Sequence, residues 1–173
     1  MPILCRVTRG DLTESIHVVF AVAVDETGTV FYSTGDRYYL TCIRSSLKPF
    51  QAAAAVKAGA VDAAGFSDDE LAMMCASHNG EDIHVKTVQS MLNKLGLSTA
   101  DLECGSHFPS DKITRHKMIK EGKAAESIHN NCSGKHAGML ALAKHLGLGI
   151  NGYIQKEHPV QKEIFNLVHE LTG

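Results

Sequence analysis

Arg44-Ser45-Ser46-Leu47-Lys48-Pro49-Phe50-Gln51-Ala52-Ala53-Ala54-Ala55-Val56-Lys57-Ala58 is where the chain changes character. The alanine run between Gln51 and Lys57 is a strong helix former. Pro49 has no N–H to give, so it must lie in the first turn. A helix over 46–59 follows, with Ser45 and Lys48 at its N-terminal end. Alanine gives such a helix a thin profile, so it can lie deep in a core.

Before this stretch the sequence reads as strands. Residues 15–24 are β-branched and apolar, Asp25-Glu26-Thr27-Gly28 is a turn, and 29–34 returns as a strand, which makes a hairpin. Gly35-Asp36 is a second turn, followed by Tyr38-Tyr39-Leu40-Thr41-Cys42-Ile43. The expectation is one meander of antiparallel strands. After the stretch the grammar is helical. Ser67-Asp68-Asp69-Glu70 is a capping box. Helices are predicted over 82–95, 98–103, 112–120, 135–146 and 158–171. Strands first and helices after, with no repeat or Pro/Ser-rich linker, give an α+β domain: an antiparallel sheet with helices packed on it.

Lys and Arg total 17 against 19 Asp and Glu, a net charge of −2, which gives no electrostatic case for nucleic acid or an acidic membrane. No stretch is long and apolar enough to span a bilayer, and the N-terminus lacks a secretory pattern. The five cysteines form no Cys-x-x-Cys and are odd in number, which points to a reducing, cytoplasmic setting.

Three polar clusters carry the chemistry. In Ser45-Ser46-Leu47-Lys48, positions three apart share a face of a helical turn. A lysine beside a serine hydroxyl favours the alkoxide, so the pair can activate a serine without histidine. The ordinary alternative is a serine N-cap with a solvated lysine. Cys75-Ala76-Ser77-His78-Asn79-Gly80-Glu81 follows a helix and turns at a glycine. It can present Ser77, His78 and Glu81 to a cleft, or be a plain C-cap loop with a surface histidine. His129-Asn130-Asn131-Cys132-Ser133-Gly134-Lys135-His136 has three readings. These are a metal site using Cys132 with His129 or His136, an anion-binding helix N-terminus with Lys135, or an Asn/Ser/Gly cap. It lacks P-loop spacing.

Together, Arg44-Ser45-Ser46-x-Lys48-Pro49-x-Gln51, Cys75-Ala76-Ser77-His78-x-Gly80-Glu81 and Asn131-Cys132-Ser133-Gly134-Lys135-His136-x-Gly138-Met139 resemble the rhizobial-type, thermolabile L-asparaginase family, as does the opening Thr8-Arg9-Gly10. The resemblance covers essentially the whole chain. It implies a fold like that of serine β-lactamases and serine-dependent glutaminases. Residues 1–173 are then the N-terminal part of a single such domain, incomplete at its C-terminus. It implies Ser45 as nucleophile, Lys48 as its activator and Ser77 as a second active-site serine. Arg44, His78 and Asn131 are the expected substrate contacts. Zinc is the implied cofactor, held partly by Cys132 and Lys135, and a lysine binds metal only as the neutral amine. The family continues well beyond Gly173. A further cysteine ligand, and a second lysine to partner Ser77, are expected there.

The resulting expectation is a cytoplasmic amidohydrolase, a homo-oligomer, cleaving L-asparagine to aspartate and ammonia, with residues 1–173 inactive by themselves. Alternatives are a glutaminase or other serine acyl hydrolase of that fold, an inactive half-domain that serves only as an assembly partner, and a metal-binding module.

Overall fold

The computed structural model describes residues 3–172. It is α+β, and its chain divides into two compact units, Met1–Ile43 and Arg44–Gly173.

Among its described residues the first unit holds four strands: β1 (Ile3–Arg9), β2 (Leu12–Val19), β3 (Ala21–Val24) and β4 (Val30–Thr34). They form two antiparallel pairs, β1 with β2 and β3 with β4, where one meander was expected. The predicted hairpin around Asp25–Gly28 is present, with Asp25 Oδ1 accepting from the N–H groups of Thr27 and Thr29, both at 2.9 Å. The predicted 15–24 strand breaks at Phe20, so its two halves join different sheets. Phe20 stacks on Tyr39 at 4.7 Å, and a side chain at Gly35 would collide with that ring. The strand expected at 38–43 is absent from the structure. The N–H groups of Tyr38 and Tyr39 instead donate to Asp36 Oδ1 and Asp36 O, closing a turn with donors that a ladder would need. Among the unit's described residues only Thr34 is buried.

The second unit carries seven helices among its described residues. They are α1 (Lys48–Lys57), α2 (Ala60–Ala63), α3 (Asp68–Cys75), α4 (Asp82–Leu95), α5 (Lys112–Lys120), α6 (Ser133–His145) and α7 (Pro159–Thr172). The segment expected as a helix at 98–103 is a short 3-10 turn over Thr99–Asp101, capped by Ser98. Helix α6 is buried along most of its length, from Ser133 to Ala143, and forms the axis of the core, touching α1, α2, α3, α4 and α7. Its close contact with α3 depends on two glycines one turn apart. A side chain at Gly134 would collide with the Met73 carbonyl, and one at Gly138 with the Met74 side chain. The alanines of α1 bury against the same core, as their thin profile predicts. The expected box starts α3: Ser67 N–H donates to Glu70 Oε2 at 2.7 Å, and Glu70 N–H returns to Ser67 Oγ at 3.4 Å. No helix among the described residues is long and apolar enough to cross a membrane.

Candidate active site

The three polar clusters converge at one end of the helical unit, where α1 begins, α3 ends and α6 begins. A 3-10 turn, Arg44–Leu47, leads directly into α1. Arg44 takes φ +48°, a left-handed conformation uncommon outside glycine, at the start of the turn that carries Ser45. Lys48, the first residue of α1, is 3% exposed, so the solvated-lysine alternative does not hold. Its Nζ donates to Ala76 O at 2.7 Å and to Ser77 Oγ at 2.5 Å. Pro49 allows this burial, since no backbone donor is lost where the ladder has not begun.

Ser45 is exposed, and its hydroxyl bonds to no described residue. It lies on a pocket of about 300 Å³ with Arg44, Lys48, Gln51, Cys132 and Lys135. The first and third sequence clusters therefore share one cavity. Ser77 is joined to it through Lys48 and does not line it.

His78 is not the surface histidine of the ordinary reading. It is 4% exposed, and both ring nitrogens are engaged inside the protein. Nδ1 accepts from Gly80 N–H at 3.1 Å, and Nε2 lies 2.8 Å from Ser133 Oγ. Burial, then the charges of His84, Lys48, His107 and His129, hold its pKa down to about 4. Gly80 must be glycine here: it has φ +77°, and a Cβ would come within 2.9 Å of Pro109. Asn131 is half-buried and held by its backbone, its carbonyl accepting from His78 N–H at 3.1 Å and its N–H donating to His107 Nε2 at 3.2 Å.

Cys132 is half-buried at the start of α6, and its N–H donates to Asn130 Oδ1 at 2.8 Å. The same Asn130 side chain donates through Nδ2 to Cys104 O at 2.8 Å, tying the two segments together. Among the described residues no three His, Cys, Asp or Glu side chains are arranged to hold a metal, with His129 and His136 included in the search. Cys132 and Lys135 offer two donors on one pocket wall, short of the four that zinc takes in proteins. The described donor set does not by itself make a zinc site. His136 turns into the core instead, its Nδ1 2.7 Å from the Tyr153 hydroxyl, and burial holds its pKa down to about 3.

The sequence reading missed Ser133, Asn130 and His107 as organisers of the site. Ser133 and Asn130 lie inside the third motif, but nothing local marks a bond from Ser133 to a histidine 55 residues away.

The site thus combines an exposed serine, a buried lysine bonded to a second serine, and a cysteine–lysine wall, on a helical unit of an α+β chain. A family model described as L-asparaginase II matches residues 5–173. The chain belongs to the L-asparaginase II family, and so to a class of hydrolases acting on the amide of asparagine. No curated protein matches it.

Proposed function

We propose that this chain supplies a serine–lysine active site for hydrolysing the side-chain amide of L-asparagine. The observation that carries the reading is Lys48, buried and bonded to Ser77 Oγ at 2.5 Å on the edge of the pocket that presents Ser45. Ser45 Oγ attacks the amide carbon, and its proton passes to the Lys48–Ser77 pair. The tetrahedral intermediate collapses as the C–N bond breaks. The nitrogen takes up that proton and leaves as ammonia, giving a β-aspartyl ester on Ser45. Water then cleaves the ester, its proton returning to the serine as aspartate departs. Arg44 lines the same pocket, and in this reading its guanidinium pairs with a substrate carboxylate.

The Lys48–Ser77 bond also favours a second reading, in which Ser77 is the nucleophile and Ser45 a substrate contact. Ammonia release with Ser45→Ala and Ser77→Ala, on asparagine and glutamine in parallel, tests both. Near-complete loss in Ser45→Ala, with residual turnover in Ser77→Ala, supports the first. The reverse pattern supports the second. Faster glutamine turnover would replace asparaginase by the glutaminase alternative. A cytoplasmic setting and a β-lactamase-like whole domain belong to the same proposal, as does zinc held by Cys132 and Lys135 only where further donors join them.

A further inference from the structure

The loop that carries Ser77 is locked to α6 by a buried chain of hydrogen bonds in which every proton can be assigned. Gly80 N–H can only donate, so His78 Nδ1 accepts and carries no hydrogen. Ser133 Oγ donates to Ile128 O at 3.0 Å, a carbonyl that can only accept. Its oxygen is therefore free to receive, and His78 Nε2–H donates to it at 2.8 Å. The imidazole is a neutral Nε2–H tautomer with no lone pair or proton left for a substrate. Ser133 is fully buried and His78 nearly so. The backbone adds a parallel tie, from His78 N–H to Asn131 O at 3.1 Å.

We infer that His78 is a positioning residue and not a substrate contact: through Ser133 it fixes the 76–80 loop on the start of α6 and so holds Ser77 against Lys48. This rests on the serine–lysine reading for its catalytic consequence, but not for the relay itself. The geometry is tight. Ala76 O and Ser77 Oγ, the two acceptors of Lys48 Nζ, are the residues immediately before His78. A loop released from Ser133 moves both acceptors together, and displacement of a catalytic group by about 1 Å costs on the order of 10²-fold in rate.

The test has two arms. Long-range proton–nitrogen NMR of the histidine-labelled chain at neutral pH reads the tautomer without needing turnover. A bare Nδ1 and protonated Nε2 at His78 is the expected pattern; a protonated Nδ1 or averaged signals overturn the relay. In the same samples the Lys48 side-chain carbon resonances should shift in His78→Ala and stay near the wild-type position in His78→Gln, which keeps a donor toward Ser133. An unmoved Lys48 signal in His78→Ala overturns the positioning role. In the full chain, kcat for ammonia release should fall by about 10²-fold in His78→Ala with KM within about twofold, and recover in His78→Gln. Ser133→Ala should match His78→Ala, and the double variant should be no worse than either. A raised KM with unchanged kcat, multiplying effects, or a lowered Tm with normal kcat each contradicts the inference. A wild-type chain without ammonia release bears on the completeness of the catalytic set and not on the relay, which the NMR arm decides together with the position of Lys48.

Discussion

Lys48 Nζ donates to Ser77 Oγ at 2.5 Å, a contact between residues 29 positions apart that ties the start of α1 to the loop leaving α3. The sequence cluster suggested a pair within one turn, Ser45 with Lys48. In the structure the lysine hydrogen-bonds the second serine, while the first faces the open pocket.

Removing that amine should abolish turnover. Lys48→Met is expected to lower kcat by about 10³-fold, within the range of a lost general acid–base group. Lys48→Arg should not rescue, because a planar fork cannot place one nitrogen between Ala76 O and Ser77 Oγ. Steady-state kinetics on folded protein checks both, and wild-type kcat in Lys48→Met would remove Lys48 from the mechanism.

Stability should fall on acidification. His78 titrates near 6.5 when unfolded but is held to about 4 in the fold. Between those values the unfolded chain binds a proton that the folded chain does not. Its contribution is therefore complete above pH 6.5 and is lost as pH falls toward 4, by roughly 3 kcal/mol in all. His136 acts in the same direction. Urea unfolding at several pH values should give a flatter dependence for His78→Gln than for wild type, and equal slopes would contradict the assignment.

The approach of α6 to α3 leaves no room for a methyl group. Gly134→Ala should cost about 1–3 kcal/mol, because its Cβ meets the Met73 backbone and not a movable side-chain tip. Gly147→Ala, where nothing lies within 4 Å but φ is +66°, isolates the cost of conformation alone. A Gly134→Ala midpoint equal to wild type would show that the two helices can separate.

Zinc should bind weakly to residues 1–173, since Cys132 and Lys135 are two donors and no further cluster stands beside them among the described residues. Metal analysis of the purified chain should give well below one equivalent. Stoichiometric zinc that disappears in Cys132→Ser would show that other donors join these two.

The strand unit should drive self-association. Leu12, Phe31 and Leu40 are 76%, 71% and 95% exposed, and each two-stranded sheet has open edges. Sedimentation at rising concentration should show oligomers, and Phe31→Lys should shift them toward monomer. A monomer at every concentration would mean that these surfaces are tolerated in water.

Most of the helical order was legible because it has local causes. The Ser67 capping box and the first-turn Pro49 mark helix starts by local chemistry, and the helices predicted over 82–95, 112–120 and 158–171 fall within a residue of those observed. The strands were less legible. A β-branched run such as 15–24 signals extended chain but not which partner it takes, and the break at Phe20 depends on Tyr39 and Gly35. In the site, the serines and lysines stood out by type and spacing. The bonds that organise them, Lys48 to Ser77 and His78 to Ser133, join distant segments and leave no local pattern.

The central claim is that Ser45 carries the acyl group while Lys48 and Ser77 manage its proton. The most direct measurement is peptide mass spectrometry of the chain after reaction with a diazoketone analogue of asparagine, which alkylates an activated nucleophile at the site. The account predicts one adduct on the Ser45 peptide, lost in both Ser45→Ala and Lys48→Met. An adduct on Ser77, or labelling of Ser45 that persists without Lys48, would contradict it.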